Sequence, residues 1–393
     1  MRKVGIAVAT VVAIASGALA LAPGTAAAAP TLGLDKNFVT GLDNPWDVGF
    51  AGSNMFFTER SGPISVRQAD GDIVELEHPA DVHDQEGEGG MMGLAVDPAL
   101  AANPNTVNNR YIYTCFSSSG AGVDGGRDNR LVRWTVDADF TDITRDEDIV
   151  IGMPHNGSAR GRHSGCRPRF KPGTSPPALF VGTGDAVKGH VPQNKRSLGG
   201  KVLRITRDGD GYPGNHGGNW DDRIFNRGHR NVQGIAFAPG TNRGYSVEHG
   251  PGVNDEVNRI KKGNFGWDPS GGYNEGVPMT DLAKFPNAVK AVWRSGNHTI
   301  APSGATFLDG PQWETWNGRL ALAVLDFDEN VGQHLRLLKL RDDGTIIKSR
   351  DKEVFADEDT RLRSAVQGPD GNLYIATDHG PTSGAIWKVT PSP

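Results

Sequence analysis

The chain has 393 residues, with 53 glycines, 25 prolines and a formal net charge of −5 at pH 7. This length allows a large buried core, and many turn-forming residues with almost no helical periodicity after residue 30 predict an all-β fold. The acidic balance argues against nucleic acid or an anionic membrane surface as the main partner.

Residues 1–29 are interpreted as a secretory signal peptide. Arg2 and Lys3 precede an apolar stretch over residues 4–21, and small residues follow at positions 26–29. This order predicts cleavage near Ala28 or Ala29, with a retained anchor helix as the alternative. No later segment is apolar enough to span a bilayer. We therefore expect a soluble, secreted (extracellular) protein with one domain over residues 30–393.

Six segments share one pattern: an apolar strand, a turn rich in Gly, Pro or Asp, and a second strand rich in Tyr, Phe, Val and Ile. They begin at Pro45, Met91, Arg167, Asn231, Ala301 and Arg363. Repeated hairpins with little helix predict a β-propeller with four strands in each blade. Residues 385–389 and 34–39 would close the ring and leave no open sheet edge. A large β-sandwich with coincidental turns is the alternative.

Polar side chains recur just before the first strand of five of these units. They are Glu88, His163, Arg230 with Asn231, Thr299, and Arg361 with Arg363. If the units are equivalent, these residues lie on one rim around a common axis. Residues 228–256 add a cationic entrance and an acidic, carbonyl-rich exit, so an anionic ligand and a hard cation could meet there.

A series of motifs runs along most of the chain in one order. They are GLDNPWDV, EGGMMGLAVDP, HSGCRPRF, VGTGD, SLGGKVLRI, GHRNVQG, EHGPGVNDEVN, GNFGW, TIAPSG, TRLRSA and GPDGNLYIATD. Over residues 41–391 the chain thereby resembles the soluble pyrroloquinoline quinone (PQQ)-dependent sugar dehydrogenases, or glucose/sorbosone dehydrogenase family. The resemblance implies an all-β, six-bladed β-propeller with four-stranded antiparallel blades. It also implies a quinoprotein oxidoreductase that oxidises the C1 hydroxyl of an aldose or related sugar by hydride transfer to PQQ.

The resemblance implies a site for PQQ, which carries three carboxylates. Arg230, Arg361 and Arg363 match positions that contact the cofactor, and forked guanidinium donors suit carboxylates. The other matched cofactor positions are Glu88, Asn231, His249, Asp255 and Thr299. The two arginines of blade six could instead pair with Asp357, Glu358 and Asp359.

The family also implies calcium. One Ca²⁺ ion polarises the quinone and is held partly by the backbone carbonyls of Gly250 and Pro251. Glu256, with the carbonyl of Phe265, resembles a second, structural calcium site, because oxygen donors suit a hard cation. Without a metal, Asp255 and Glu256 would simply cap a turn.

His163 matches the catalytic base, and Arg230 lies beside it at the implied reaction centre. The imidazole would take the proton from the sugar hydroxyl, while Asp185 would accept hydrogen bonds from other sugar hydroxyls. Two residues depart from the family pattern. Asp326 stands where glucose-oxidising members have a lysine on the cofactor, and Arg162 replaces an acid and would supply the missing cation.

Several alternatives stay open. Cys115 and Cys166 could form a disulfide in an exported protein, but the sequence does not show that they are close. No C-x-x-C-H haem motif occurs, so the electrons would pass to a separate acceptor, a cytochrome or a quinone. A calcium-dependent propeller lactonase or hydrolase and an inactive sugar- or ligand-binding propeller are alternative functions. The abundance of arginine weighs against the former, and Asp326 favours the latter.

Overall fold

The computed structural model describes residues 29–83, 87–120, 126–157, 160–326 and 333–392. The predicted signal peptide lies outside these residues except for Ala29. Within them, six four-stranded antiparallel sheets account for nearly all regular structure. No helix among the described residues is long and apolar enough to cross a membrane.

The sheets follow one another along the chain as blades. After β1 (Thr31–Leu42), blade one contains β2 (Pro45–Ala51), β3 (Asn54–Glu59), β4 (Ile64–Arg67) and β5 (Ile73–Glu77), and blade two contains β6 (Met91–Val96), β7 (Tyr111–Ser118), β8 (Asp128–Val136) and β9 (Ile143–Met153). Blade three contains β10 (Gly165–Lys171), β11 (Ala178–Thr183), β12 (Lys201–Ile205) and β13 (Ile224–Arg227), and blade four contains β14 (Val232–Phe237), β15 (Gly244–Glu248), β16 (Glu256–Arg259) and β17 (Trp293–Arg294). Blade five contains β18 (Pro302–Phe307), β19 (Leu320–Val324), β20 (Leu335–Leu338) and β21 (Lys352–Val354), and blade six contains β22 (Leu362–Gln367), β23 (Leu373–Thr377) and β24 (Gly384–Ser392). The helical elements are α1 (Pro98–Ala102) and 3₁₀ turns at Pro311–Trp316, Lys348–Arg350 and Ala356–Glu358.

Blade six is completed by the N-terminal strand. β1 pairs antiparallel with β24, with Leu34 opposite Val389 and Val39 opposite Ile386. This closure was predicted from residues 34–39 and 385–389, and it is confirmed. Because the first and last strands share a sheet, the N-terminal strand supplies the outer strand of blade six and closes the ring.

Glycines in the inner strands allow neighbouring blades to approach closely around the axis. A Cβ atom on Gly93 of β6 would lie 2.1 Å from the carbonyl oxygen of Cys166, and one on Gly234 of β14 would lie 2.4 Å from that of Ser303. No side chain fits at such distances, so the glycine of the MMGLAV and VQGIAF repeats is required by packing. The apolar core lies between the blades, as where Tyr113 packs in one cluster with Leu179.

A disulfide joins blades two and three. Cys115 of β7 and Cys166 of β10 are bonded, with their Cα atoms 5.4 Å apart and a sequence separation of 51. Closing a loop of this length restricts the unfolded chain by about 4 kcal/mol on the chain-entropy estimate. The bond places a covalent link at Cys166, in the strand that directly follows the loop carrying His163.

Candidate active site

A cavity of about 550 Å³ opens at one end of the ring, and residues from all six blades line it. The predicted residues that the structure brings together here are Glu88, Arg162, His163, Arg230, Asn231, His249, Gly250, Thr299, Arg361 and Arg363. The strand-entrance positions therefore do share one rim. Sequence reasoning missed Arg60, Arg160 and Asp378, which also line the cavity.

Positive charge is in excess at this site. Six arginines line the cavity against two carboxylates, Glu88 and Asp378, which gives a formal excess of four positive charges. An isolated cluster of this kind is costly to bring together unless an anion or counter-charge joins it. The cavity is therefore suited to a ligand with several negative charges.

The loop that carries His163 is held by Glu88. The backbone N–H groups of His163 and Ser164 donate to the two Glu88 carboxylate oxygens, each at 2.9 Å. This carboxylate fixes a backbone in the left-handed region, since His163 has a φ of +62°. Glu88 thus lines the cavity as predicted, and its oxygens are engaged by the loop.

His163 is 3% exposed, and the hydrogen-bond partners that orient its ring lie at Nδ1. Its Nδ1 lies 2.8 Å from Asp185 Oδ1 and 3.0 Å from the Tyr273 hydroxyl. An ionised carboxylate can only accept, so Nδ1 carries a proton, and in the neutral ring Nε2 is the acceptor. Among the described residues Nε2 has no hydrogen-bond partner, and the side chain lines the cavity. The ring can therefore accept a proton there.

Asp185 does not occupy the position expected of a substrate contact. It is 0% exposed, is not part of the cavity lining, and also accepts hydrogen bonds from Trp267 Nε1 at 2.8 Å and from the Val187 N–H at 2.9 Å. With both oxygens engaged inside the protein, the carboxylate cannot reach sugar hydroxyls. The structure does not bring the predicted substrate contact to the cavity, and the carboxylate contacts the candidate base instead.

Arg230 extends from the start of blade four into the cavity. Its Nη2 pairs with Glu275, its Nη1 donates to the His249 carbonyl at 3.2 Å, and its backbone N–H donates to Glu248 at 2.8 Å. Its Nε has no hydrogen-bond partner among the described residues. Glu275 was not singled out from the sequence, where it is one of several acids in a long loop.

Asn231 and His249 present unsatisfied polar atoms beside this arginine. The Asn231 amide nitrogen and oxygen and His249 Nε2 are buried without a hydrogen-bond partner among the described residues. Burial, together with Arg230 and Arg363, holds the pKa of His249 well below its usual value. Buried polar atoms are rarely left unpaired, so these atoms indicate that a polar ligand completes the site.

Arg361 and Arg363 share Asp378, which lies just after β23. Arg361 Nη2 lies 3.5 Å from Asp378 Oδ2, and Arg363 Nη2 pairs with the same oxygen. Burial would raise the pKa of Asp378, but the two guanidinium groups lower it to about 2. The alternative pairing with the acids at 357–359 is wrong, because Asp378 is the partner observed.

Asp255 lies behind the cavity wall rather than on it. It is 0% exposed and accepts from the N–H of Gly250 at 2.8 Å, the N–H of Ile300 at 2.6 Å and the hydroxyl of Thr299 at 2.9 Å. Burial raises the pKa of this carboxyl. It therefore joins two loops that line the site, and the expectation that it lines the cofactor edge is wrong.

Of the Gly250-Pro251 pair, whose carbonyls were predicted to hold a calcium ion, only Gly250 lines the cavity. Neither carbonyl accepts a hydrogen bond from the described residues. Such oxygens can bind a hard cation. Within the described part of the chain, no group of three or more His, Cys, Asp or Glu side chains could hold a metal.

Glu256 and Phe265 lie away from the cavity lining. Glu256 is 1% exposed, and its Oε1 accepts from Arg294 Nε at 3.0 Å and from the Thr280 hydroxyl at 3.1 Å. Burial and the nearby Glu248 raise the pKa of Glu256 to about 7. Its Oε2 accepts from Asn258 Nδ2 at 3.3 Å, and the predicted second calcium site would use this oxygen and the Phe265 carbonyl.

Asp326 does not face the cavity as the family lysine was expected to do. It is 1% exposed and is not part of the lining, whereas its neighbour Leu325 is. The expected repulsion of a cofactor carboxylate therefore has no geometric basis. Arg162, which was expected to supply a replacement cation, does line the cavity and lies 3.7 Å from Glu275.

The fold and the cavity define a β-propeller with a cation-lined site and an Asp-oriented histidine. The Glucose / Sorbosone dehydrogenase family matches residues 42–388, and the chain therefore belongs to this family. It is 28% identical over 364 residues to the aldose sugar dehydrogenase YliI of Escherichia coli, with 89% of this chain and 91% of that protein covered.

Two further comparisons concern the cofactor. The chain is 28% identical over 450 residues to quinoprotein glucose dehydrogenase B of Acinetobacter calcoaceticus, with 94% and 90% of the two chains covered. It is also similar to the PQQ-bound form of an aldose sugar dehydrogenase from Streptomyces coelicolor, with a TM-score of 0.70 and 25% identity. That match covers 92% of this chain and 100% of the other.

Proposed function

We propose that the protein is a secreted, PQQ-dependent sugar dehydrogenase that oxidises the C1 hydroxyl of an aldose. The observation that carries this proposal is the placement of His163. Its Nδ1 is held by the buried Asp185, and its side chain lines a cavity in which arginines outnumber carboxylates by four. The candidate base and the candidate anion-binding site therefore lie in the same cavity.

The residues present fit the cofactor. Arg230, Arg361 and Arg363 supply forked donors for its carboxylates. The unpaired amide of Asn231 and the unpaired Nε2 of His249 supply further polar contacts. Glu88, Asp255 and Thr299 act indirectly by fixing the loops around them. When bound, PQQ supplies the acceptor for a hydride, and thus for two electrons.

Calcium would use the oxygens of the Gly250-Pro251 loop. Gly250 lines the cavity, and neither carbonyl accepts a hydrogen bond from the described residues. Glu256 and the Phe265 carbonyl would hold a second ion with a structural role. The coordination of oxygen donors is typical of Ca²⁺, and the first ion would polarise the acceptor carbonyl.

The protein's own chemistry is the removal of one proton. As the substrate C1–H bond breaks and hydride leaves with both electrons, the hydroxyl proton passes to His163 Nε2 and the C1–O bond becomes a carbonyl. Asp185 keeps the ring in the orientation that presents Nε2 and stabilises the imidazolium that forms. Arg230 supports negative charge that develops beside the base. A separate cytochrome or quinone would then remove the electrons.

Reconstitution tests the proposal. Protein purified without cofactor would be titrated with PQQ and Ca²⁺, and dye reduction followed with a panel of neutral aldoses. We expect His163→Gln to lower kcat by about 10²–10⁴-fold, the usual contribution of a general base, with PQQ affinity retained. His78→Gln is a matched control, because His78 is exposed and is not part of the cavity lining.

The outcomes distinguish the other functions. Tight PQQ binding without turnover of any sugar would favour an inactive binding propeller. Cleavage of lactones or esters without PQQ would favour the calcium-dependent hydrolase. Secretion is tested separately, by locating the mature protein and sequencing its N-terminus, where cleavage near Ala28 or Ala29 is expected.

A further inference from the structure

A long segment of blade four reaches the His163 site in blade three. This segment joins β16 to β17 and comprises residues 260–292. Its Trp267 Nε1 and its Tyr273 hydroxyl both donate to Asp185 Oδ2 at 2.8 Å, and the same hydroxyl lies 3.0 Å from His163 Nδ1. Two side chains from one segment thus contact the carboxylate that orients the base.

The segment is fixed where it crosses between the blades. A Cβ atom on Gly189 would lie 2.1 Å from the Gly272 carbonyl oxygen, so the two backbones are in close contact. Gln193 donates to the Trp267 carbonyl at 2.9 Å and accepts from Asn264 at 3.0 Å. Because blade three anchors the segment on both sides of Trp267, Tyr273 is held in place before any ligand binds.

The donor and the acceptor can be assigned in each of the contacts around Asp185. Asp185 is the acceptor in four of them, from His163, Trp267, Tyr273 and Val187. Burial and the Asp185 charge raise the pKa of Tyr273 far above its usual value, so the phenol keeps its proton and donates it. The other titratable or charged groups around His163 are Glu88, Arg162, Arg230, His249 and Glu275.

We propose that Tyr273 is a positioning residue for His163, whose hydroxyl shares the charge of Asp185 and holds the ring with the proton on Nδ1 and Nε2 facing the cavity. This proposal rests on the proposed function only in taking His163 as the base. The bond from Tyr273 to Asp185 is charge-assisted and outweighs the neutral contact with Nδ1. Without the Tyr273 bond, the charge of Asp185 stabilises the protonated imidazolium of His163 more strongly. A smaller fraction of His163 is then neutral and able to accept the substrate proton.

The test replaces Tyr273 with phenylalanine, which keeps the ring and removes only the hydroxyl. We expect Tyr273→Phe to lower kcat about tenfold, as for the loss of one hydrogen bond to a charged group, with KM nearly unchanged. The acid limb of the kcat pH profile should move to higher pH. Tyr212→Phe is the matched control, since the Tyr212 hydroxyl bonds to the Pro176 carbonyl on an exposed part of blade three.

A second measurement requires neither cofactor nor turnover. In protein labelled with ¹⁵N-histidine, the His163 resonances, assigned with His163→Gln, should show a proton on Nδ1 in the unmodified protein. In Tyr273→Phe they should show protonation of the ring at higher pH, and in Tyr212→Phe they should not change. A thermal unfolding scan of each variant establishes that it is folded.

The two proposals can fail separately. An unchanged His163 titration and an unchanged pH profile in Tyr273→Phe would overturn the positioning role, even if sugar oxidation depends on His163. The expected shift in the NMR titration, in a protein that oxidises no sugar, would support the positioning role and overturn the dehydrogenase assignment.

Discussion

The molecule contains two clusters of the same three side chains in different surroundings. Each consists of two arginines that share one aspartate. The channel trio is Arg167, Asp47 and Arg169, and the cavity trio is Arg361, Asp378 and Arg363. In both, the arginines overcome the effect of burial and lower the pKa of the aspartate to about 2.

The channel trio is enclosed by its neighbours, which supply most of its hydrogen-bond partners; Arg167 Nη2 has none among the described residues. Asp47 is 0% exposed and also accepts from the Leu94 N–H and the Ser364 hydroxyl, both at 2.9 Å. Arg167 donates to the Gln233 carbonyl at 2.7 Å, and its guanidinium lies 3.9 Å from the centre of the Trp46 ring. The trio and these partners together come from five blades, so the trio ties the blades together around the axis.

The cavity trio borders open space instead. Arg361 and Arg363 line the 550 Å³ cavity together with Arg230, and Asp378 lines it too. Charge alone therefore does not separate a structural arginine from a binding one. What separates them is whether the arginines are enclosed by neighbouring blades or border a cavity that a ligand can enter.

The largest expected difference is in stability. Asp47→Asn should lower the free energy of unfolding by about 3–5 kcal/mol, because it leaves buried guanidinium groups without their counter-charge. Asp378→Asn should lower it by about 1–2 kcal/mol, since its arginines can be hydrated from the cavity. Chemical denaturation at pH 7 measures both. Equal losses would mean that the cavity trio is as structural as the channel trio.

Acid unfolding examines what the two trios share. Each aspartate has a folded-state pKa of about 2, below its ordinary value of 3.8. Its contribution is therefore present above pH 4 and is lost as pH falls toward 2, and a shift of this size amounts to about 2 kcal/mol. The slope of stability against pH in this window should become flatter in either Asn variant. An unchanged slope in Asp47→Asn would contradict the assigned charge state.

Ligand binding should separate the trios in the opposite sense. Arg363→Gln should weaken PQQ binding about 10–100-fold, the effect of losing a hydrogen bond between charged groups, with a small loss of stability. Arg169→Gln should destabilise the protein and leave PQQ affinity unchanged. Calorimetric titration of both variants, with the exposed Arg341→Gln as a control, makes the comparison. Weaker binding in all three would indicate a general charge effect.

The fold could be predicted from the sequence because its signals are local and repeated. Six hairpin units and the closing segments at each end were enough to give the ring, and the family motifs gave the number of blades. The rim register also held, because the residues before each first strand lie at equivalent places. The positions of Asp185 and Asp255 could not be predicted, since a motif match does not show whether a side chain faces a cavity or lies behind its wall.

One signal in the repeats was overlooked. An acid stands at or just after the end of the second strand in several blades: Glu59, Asp185, Glu248, Asp326 and Asp378. The antiparallel register of each hairpin brings this position beside the residues that precede the first strand. That geometry explains why Asp185 meets His163, why Glu248 meets His229, and why Asp378 meets Arg361.

The smallest expected effect concerns Glu275, a counter-charge that can be displaced. Glu275 pairs with Arg230 from the segment between β16 and β17, and its side chain is 39% exposed. Burial would raise the pKa of Glu275, but Arg230 lowers it, so the carboxylate stays charged and competes with anions for the arginine. Glu275→Gln should therefore strengthen PQQ binding by about threefold, the scale of an exposed ion pair.

Glu75→Gln is the matched control, because it makes the same change in net charge on the exposed outer strand of blade one. A gain in affinity confined to Glu275→Gln would show that the ligand displaces the Glu275 carboxylate from Arg230. Among the described residues, Arg167 in the channel trio has no counter-charge that a ligand could displace in this way. A loss of affinity would show instead that Glu275 holds Arg230 in its binding geometry. Arg230 would then be oriented by a partner in the way that the channel arginines are, and the distinction between the two regions would rest on Arg361 and Arg363 alone.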